Sequence, residues 1–355
     1  MLKANLYPYT LMFRQPGGTS RGIMYQREVY FITIYDDLNP NIAGIGECAP
    51  LKGLSKELDY SFFETLNKVI SSPQFYIDNL SLLTEYPSIR FAIETAYLDF
   101  RHNGQRRFFP SEFTDGKYGM KINGLVWMGN KDVMLKRIKE KIRSGFSCIK
   151  LKIGAINFED ELSLISFIRS KFSVKDLELR VDANGAFSFN EALKKIERLS
   201  HYNIHSIEQP IKAGNIEEMA ALCCRTALPI ALDEELIGIN DKKNKVDLLD
   251  IIAPQYIILK PSLTGGFCAS DEWIEIAESK NIGWWATSAL ESNIGLNAIA
   301  QWCFTKNVNM PQGLGTGKVF TNNLPSNLNL AGELLYTNNH KDSLTLKCFN
   351  KLVSK

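Results

Sequence analysis

CIKLKIG, residues 148–154, is a short apolar run that carries Lys152 near its end. Comparable runs follow it along the chain, and each ends in a charged residue: LELRVD in Asp182, HSIE in Glu208, IALD in Asp233 and YIILK in Lys260. The intervals are about 25 to 30 residues, the length of a strand, a helix and two turns in a (β/α) barrel. Because active residues of such barrels lie at the carboxyl ends of the strands, the pattern predicts five charged side chains around one barrel mouth.

The strand–helix alternation does not extend to the amino-terminal part of the chain. REVYFITIYD (27–36) and GIGECAPL (44–51) are predicted strands, RQPGGTSRG (14–22) is a predicted Gly-rich loop, and YPSIRFAIETAYLDFRHNG (86–104) is a predicted helix. Strands followed by a helix without alternation indicate a segregated α+β unit. The sequence therefore predicts an α/β barrel with a separate α+β domain before it.

The composition is that of an ordinary globular protein. Of 355 residues, 45% are hydrophobic and 23% are charged, and the net charge of +2 gives no indication of a nucleic-acid partner. The seven cysteines are scattered without a C-x-x-C pair, which favours buried thiols in a reducing compartment over disulfides or zinc. No secretory leader and no membrane-spanning apolar run can be recognised. We therefore expect a cytoplasmic protein, and assembly into a homo-oligomer stays open.

Two lysines share one strand of the predicted barrel. Lys150 and Lys152 lie two residues apart, so their side chains point to the same face. Such a pair most often lies on a solvated surface. Inside a barrel, however, two ammonium groups are costly unless anions lie nearby, and the three acids Asp182, Glu208 and Asp233 would supply them.

The three acids have two interpretations. Each one alone is most simply a helix cap or a partner of a lysine. Three of them at consecutive strand ends would repel one another, and a hard divalent cation such as Mg²⁺ would relieve that repulsion. Because they occur together and are flanked by lysines, we predict a Mg²⁺ site formed by Asp182, Glu208 and Asp233.

A lysine beside a carboxylate-bound metal is suited to removing a proton from a carbon next to a carboxylate. Lys152 is the candidate base, Lys150 is the neighbour that makes a neutral amine accessible, and Lys260 lies across the mouth. The four histidines lie away from the strand ends, which argues against a histidine base, a Ser/His triad and a His-rich zinc site. GLGTG (313–317) lacks the residues of a phosphate-binding loop.

Taken together, the motifs resemble the enolase superfamily, and within it most closely the o-succinylbenzoate synthase family of menaquinone biosynthesis. The resemblance covers nearly the whole chain. It includes the segments GIGECAPL (44–51), PSIRFAIETAYLD (87–99), INGLVWMG (122–129), IKLKIG (149–154), VDANGAF (181–187), IEQP (207–210), ALDE (231–234), LKPSLTGG (259–266) and SALESNIGL (288–296).

The resemblance implies a (β/α)₇β TIM-like barrel at 119–319 under an α+β capping domain at 1–118, which the tail 320–355 joins. It implies Mg²⁺ on the three acids, with Asn184 and Glu234 as supporting groups. It further implies that substrate contacts come from Gly18 and Thr19 in the capping loop PGGTSRG, from the turn near Ala49-Pro50-Leu51, and from Ser288, Gly313 and Leu314 of the barrel.

The activity that the resemblance implies is that of a hydro-lyase acting on a small-molecule carboxylate. Lys152 would take the α-proton of 2-succinyl-6-hydroxy-2,4-cyclohexadiene-1-carboxylate and help the ring hydroxyl leave as water, while Lys260 would face the ring as a cation. Such a resemblance also implies alternatives, because N-acylamino acid racemases, dipeptide epimerases and muconate-type cycloisomerases use the same residues. QGLGTG (312–317) lacks the Asp-x-Asp of dipeptide epimerases, which disfavours that one. A binding protein without turnover is a further alternative, disfavoured by the complete residue set.

Overall fold

The computed structural model describes residues 1–19, 22–338 and 344–353. An antiparallel sheet of β1 (Leu2–Thr19), β2 (Gly22–Asp36) and β3 (Asn39–Cys48), in that order, opens the chain. The helices α1 (Phe62–Ser71), α2 (Pro73–Asp78) and α3 (Pro87–Arg101) follow it, with a 3₁₀ turn at Leu80–Leu83. The helix α3 packs against β3 so closely that a Cβ at Gly46 would lie 1.9 Å from the carbonyl oxygen of Ala92. The amino-terminal part is therefore the α+β unit that the sequence predicts.

The predicted Gly-rich loop at 14–22 is wrong over most of its length. The strand β1 continues to Thr19 and pairs with β2 beyond a register shift between Met12 and Gly17. The glycines at 17 and 18 give no sign of this in the sequence, because pairing with β2 is a long-range contact. Ser20 and Arg21 of the predicted loop lie outside the described residues.

The second part of the chain is a parallel sheet with helices between its strands. The two-residue strand β4 (Met120–Lys121) precedes it. The sheet runs in sequence order through β5 (Gly124–Val126), β6 (Cys148–Lys152), β7 (Glu178–Asp182), β8 (Ser206–Glu208), β9 (Ile230–Leu232), β10 (Tyr256–Leu259) and β11 (Gly283–Ala286). The helices between and after them are α4 (Lys131–Arg143), α5 (Phe158–Arg169), α6 (Phe189–Ser200), α7 (Ile216–Arg225), α8 (Lys242–Ile252), α9 (Pro261–Thr264), α10 (Gly266–Ser279) and α11 (Asn293–Phe304), with a 3₁₀ turn at Glu234–Leu236.

Several helices of this part begin at local side-chain caps. The Asn130 side chain accepts the Val133 N–H at the start of α4, and Ser188 forms a capping box with Glu191 at the start of α6. Asp241 caps α8 in the same way through the N–H groups of 243 and 244. These caps satisfy N–H groups that the helices themselves leave without partners, so α4, α6 and α8 each begin at a defined residue after the preceding strand.

Gln312 and Gly313 close the sheet into a barrel. Gln312 forms a parallel bridge to Ile122, and Gly313 forms one to Thr287. The hydrogen bonds Asn123 N–Gln312 O (2.9 Å) and Gly313 N–Ala286 O (2.8 Å) join this segment to both edges of the sheet. The predicted α/β barrel with a capping domain is thus confirmed, although its last strand is reduced to these bridges.

The carboxyl-terminal residues reach both parts of the molecule. β12 (Leu328–Ala331) and β13 (Leu334–Thr337) form a small antiparallel sheet with β4. The final helix α12 (Leu346–Val353) packs on the cap, where the Phe349 ring lies 5.4 Å from Tyr7 and 5.6 Å from Phe31 between centroids. The domain boundaries at 118 and 320 stay a prediction.

The cysteines only partly fit the expectation of buried thiols. Those at 48, 148, 223 and 303 are buried, whereas Cys224, Cys268 and Cys348 are exposed. All seven are free thiols. Among the described helices, none combines the length and the apolar character that crossing a membrane would require.

Candidate active site

The register between β6 and β7 sets the geometry at the barrel mouth. Lys152 lies opposite Asp182, and Lys150 lies opposite Arg180. Lys152 Nζ donates to Asp182 Oδ2 at 2.6 Å, and Lys150 Nζ lies 3.2 Å from the same oxygen. Both lysines are buried, at 9% and 5% exposure. The sequence prediction that the two lysines point inward to an acid is therefore correct.

Glu208 extends the charged cluster onto β8. Lys150 Nζ donates to Glu208 Oε2 at 2.7 Å. Burial raises the pKa of Glu208 well above its usual range, and the nearby Asp182 carboxylate adds to this. Burial opposes the charge of Lys150, but attraction by Glu208 and Asp182 prevails and raises its pKa. For Asp182 the opposite holds, since the two lysines outweigh burial and lower its pKa.

Asp233 and Lys260 form the far side of the cluster. Lys260 Nζ donates to Asp233 Oδ2 at 2.5 Å. Burial opposes the charge of Lys260, yet Asp233, Glu234 and Glu208 together raise its pKa. Three strands lie between β6 and β10 in the sheet, so Lys260 and Lys152 approach the mouth from different sides.

Asn184 links Lys152 on β6 to Glu234, which follows β9. Lys152 Nζ donates to Asn184 Oδ1 at 2.5 Å, and Asn184 Nδ2 donates to Glu234 Oε1 at 3.0 Å. Asn184 has φ 46°, a left-handed conformation that asparagine tolerates better than most residues. The two predicted supporting residues are therefore in contact with each other, and one of them contacts Lys152.

Gln209 is a residue of this site that the sequence analysis missed. It follows Glu208 directly, has φ 39° and is fully buried. Its Oε1 accepts the N–H groups of Asp233 (3.1 Å) and Glu235 (3.2 Å), while its Nε2 donates to Glu235 Oε2 at 3.0 Å. Gln209 therefore fixes the end of β8 relative to the end of β9. The motif IEQP contains it, but its long-range bonds leave no local signal.

The carboxylates Asp182, Glu208 and Asp233 are the residues that could hold a metal ion. As the side chains stand, the residues that the structure describes contain no group of three carboxylate, thiol or imidazole side chains arranged as a metal site. The lysine ammonium groups contact the carboxylate oxygens instead. Asp233 Oδ1 is buried and accepts no hydrogen bond from the described residues. A buried acceptor of this kind, beside a Glu208 whose charged form is disfavoured first by burial and then by Asp182, fits a hard cation that prefers oxygen ligands.

A cavity of about 80 Å³ lies between the cluster and the cap. Lys150, Lys152, Lys260 and Glu208 line it, whereas Asp182 and Asp233 lie behind the lysines. Ligand cavities usually measure about 300–1,000 Å³, so this cavity is smaller than a typical ligand site. The complete lining is Met24, Leu51, Leu54, Asn123, Leu125, Trp127, Lys150, Lys152, Asn184, Glu208, Lys260, Thr287, Ser288, Ala289, Leu290, Gly313, Gly315 and Thr316.

The residues predicted to contact a substrate lie only partly along this cavity. Ser288 and Gly313 line the cavity, as does Leu51 of the predicted capping turn. Leu314 does not, because it lies between two glycines that face the cavity and its own side chain is buried in the barrel core. Gly18 is not part of the lining and lies against Met128. The Thr19 side chain lies outside the described residues.

A buried polar network holds the cap against the Ser288 loop. Glu291 Oε2 accepts Ser288 Oγ at 2.6 Å and the Ala289 N–H at 2.9 Å. Arg27, from β2 of the cap, donates to the carbonyl oxygens of Ala49 and Ala289. The network therefore positions lining residues of the cap turn and of the barrel relative to each other. Neither residue was predicted; Arg27 bonds carbonyl oxygens that are distant in the sequence, whereas Glu291 lies within the quoted motif SALESNIGL and bonds its neighbours Ser288 and Ala289.

Comparisons with known proteins agree with this fold. The family described as Enolase C-terminal domain-like matches residues 133–321. The chain is 44% identical to an o-succinylbenzoate synthase from Desulfotalea psychrophila, over 92% of this chain and 96% of that protein. The crystal structure of MenC from the same organism superposes with a TM-score of 0.82 at 39% identity, covering 95% of this chain and 99% of that one. An N-succinyl Arg/Lys racemase from Bacillus cereus shares the fold, with a TM-score of 0.81 at 22% identity and coverage of 95% and 93%.

Proposed function

The chain belongs to the Enolase C-terminal domain-like family of the enolase superfamily, and we propose that it acts as an o-succinylbenzoate synthase. The observation that carries the proposal is the 44% identity to a synthase over 92% of the chain. The reaction is the dehydration of 2-succinyl-6-hydroxy-2,4-cyclohexadiene-1-carboxylate in menaquinone biosynthesis. The buried lysines on two sides of one cavity support it, because the reaction needs a base and a stabilising cation at the same ring.

Lys152 is the proposed base. Its Nζ, as a neutral amine, takes the proton from the ring carbon that bears the carboxylate. The electron pair left behind moves into the ring and breaks the bond between the neighbouring carbon and its hydroxyl oxygen. Lys152 then returns its proton to that oxygen on the same face, so the products are one water and an aromatic ring. Lys150 stays protonated between Glu208 and Asp182 and keeps positive charge beside the base.

Lys260 is proposed to stabilise the ring without exchanging a proton. Its raised pKa keeps the ammonium charged, and an ammonium over a ring of growing negative charge is favourable. Asp182, Glu208 and Asp233 are the proposed ligands of Mg²⁺, with Asn184 and Glu234 as supporting groups. When bound there, Mg²⁺ would supply a fixed positive charge against the charge that develops at the substrate carboxylate.

The test is incubation of the protein with the cyclohexadiene substrate and Mg²⁺. We expect growth of the ultraviolet absorbance of the aromatic product and its identification as o-succinylbenzoate by mass spectrometry. Absence of that product from a folded, Mg²⁺-supplied protein would contradict the proposal.

A two-base racemase is the second candidate. The observation that favours it is that Lys152 and Lys260 both line the cavity, as proton exchange from two faces requires. An N-succinylamino acid in D₂O distinguishes the two. Deuterium entering both enantiomers would support racemisation, and unchanged substrate would remove this candidate.

A further inference from the structure

A second cavity, of about 260 Å³, lies beside the active-site cavity and is strongly cationic. Its charged lining residues are Arg14, Arg137 and Lys318. The rest of its lining is Phe13, Gln15, Pro16, Gly17, Trp127 and Val319, so no described residue of this wall carries a carboxylate. In the described parts of the chain, none of the three cations forms an ion pair. Three like charges around one cavity without a fixed counterion favour an anion from solution.

The backbone brings these cations together from distant parts of the chain. Phe13 forms an antiparallel bridge to Phe320, and the Arg14 N–H donates to Val319 O at 2.8 Å. The same bridge therefore places Arg14 beside the segment that carries Lys318. These two side chains are exposed and free to meet a ligand.

Arg137 is held from the barrel side. Its Nη1 donates to the carbonyl oxygens of Trp127 (3.0 Å) and Met128 (2.9 Å), and its Nη2 donates to Gln15 Oε1 at 3.2 Å. The guanidinium thus ties α4 to the hairpin of the cap. The cationic wall is therefore shared between the barrel and the cap at the edge of the mouth.

Only a thin wall separates this cavity from the active site. Trp127 lines both cavities. A Cβ at Gly17 would lie 3.6 Å from the Trp127 ring and 3.7 Å from Met24, which lines the active-site cavity. A ligand in the second cavity would therefore be separated from the active-site cavity by the Trp127 ring and the chain at Gly17.

We propose that the second cavity, a cationic vestibule lined by Arg14, Arg137 and Lys318, captures a carboxylate of the substrate before the substrate enters the active-site cavity. The proposal rests on the proposed function, whose substrate carries two carboxylates. Arg14 and Lys318 attract the anion, and Phe13 and Trp127 offer apolar surface to its ring. Because a cleft of one charge sign raises the local concentration of an oppositely charged substrate, the vestibule acts on kcat/KM and not on kcat.

The experiment compares two double variants with equal change in net charge. Arg14→Gln/Lys318→Gln neutralises the vestibule, and Lys175→Gln/Lys194→Gln neutralises exposed lysines elsewhere. At about 20 mM NaCl we expect the first to lose about five- to twentyfold in kcat/KM with unchanged kcat, and the second to match the wild type. At about 500 mM NaCl the difference should disappear through screening. Arg14→Lys/Lys318→Arg, which keeps both charges, should retain wild-type kcat/KM.

Three results would contradict the vestibule proposal. They are equal kcat/KM in the two neutralised variants, a loss of kcat/KM that does not depend on salt, or a loss confined to kcat. Circular dichroism of each variant checks that the fold is retained. The proposed function is tested separately by turnover of the wild type in the same assay. Wild-type turnover with no difference between the variants removes the vestibule alone, whereas a wild type without turnover removes the function.

Discussion

The two ends of the barrel carry buried charges on the same strands but use them differently. β7 presents Glu178 and Arg180 at its amino end and Asp182 at its carboxyl end, all on one inward face. At the amino end, Arg180 donates to Glu178 at 2.7 Å, and its guanidinium lies 4.2 Å from the centroid of Trp285. At the carboxyl end, Asp182 lies behind Lys150 and Lys152, which line a cavity. The inward-facing residues of β7 therefore pack against other side chains at the amino end of the barrel, and they lie beside the cavity at its carboxyl end.

The neighbouring pair Lys150 and Arg180 makes the difference clearest. They lie in register on β6 and β7, yet Lys150 extends toward Glu208 while Arg180 extends toward Glu178 and the carbonyl oxygen of Pro311. The flexible Lys150 side chain lines the cavity, whereas the planar guanidinium of Arg180 stacks on the ring of Trp285. Burial and charge alone therefore do not distinguish a reactive end from a structural one.

Replacing the proposed base should give the largest effect. For Lys152→Ala we expect at least about a 10³-fold loss of kcat, since general-base catalysis is removed, with a folded protein by circular dichroism. The control is Lys245→Ala, which removes a buried lysine paired with Glu272 at 2.8 Å, away from the mouth. It should lower stability and leave kcat nearly unchanged. Full activity of Lys152→Ala would contradict the assigned role.

Substitution at the amino end of the barrel should lower stability and leave turnover nearly unchanged. Arg180→Met leaves Glu178 without its ion-pair partner, and we expect a loss of about 3 kcal/mol in the free energy of unfolding by urea. Turnover should stay within about twofold of wild type, because Arg180 does not line the cavity. Arg198→Met, which breaks the exposed pair with Glu159, should change little. A large loss of kcat in folded Arg180→Met would erase the distinction between the two ends.

Two glutamines provide a finer comparison. Gln209 binds the Asp233 N–H at the mouth, and Gln255 binds the Ile230 N–H at the amino end (2.8 Å). For Gln209→Ala we expect Mg²⁺ affinity to fall by about 10- to 100-fold in calorimetry, since groups that orient metal ligands contribute that much. Gln255→Ala should leave Mg²⁺ binding unchanged and reduce only stability. Equal Mg²⁺ affinity of the two variants would exclude a positioning role for Gln209.

The smallest effect should be the pH dependence of stability at the amino end. Burial lowers the pKa of His205 from its ordinary value of 6.5, although Glu178 opposes this. The folded state therefore disfavours the protonated imidazole. The contribution of His205 to the free energy of unfolding is present above about pH 6.5 and is lost as the pH falls below that value. Urea unfolding at several pH values should show a weaker acid-side loss in His205→Gln than in the wild type. His201→Gln, at an exposed histidine, is the control, and equal slopes in both variants would refute the effect.

The sequence predicted best what repeats locally. The five strand ends, the inward lysine pair and the division into cap and barrel follow from apolar runs and spacing. The hairpin at 14–22, the Gln209 bonds and the Arg27 network were not predictable, because each depends on pairing between distant segments. Arg180 lies within the quoted LELRVD but gave no signal, since its partner ring, Trp285, is far away in sequence. The burial of Leu314 in the core was not predictable either, because the direction of its side chain depends on how the last strand closes the barrel.

The most direct test of the central proposal is a metal titration of the dehydration itself. The protein is stripped of divalent metal with a chelator, and formation of the aromatic product is followed as Mg²⁺ is added back. We predict no product from the stripped protein and a saturable return of activity with Mg²⁺. Undiminished product formation without a divalent metal, or none at saturating Mg²⁺, would contradict a reaction carried out by Lys152 and Lys260 around a metal held by Asp182, Glu208 and Asp233.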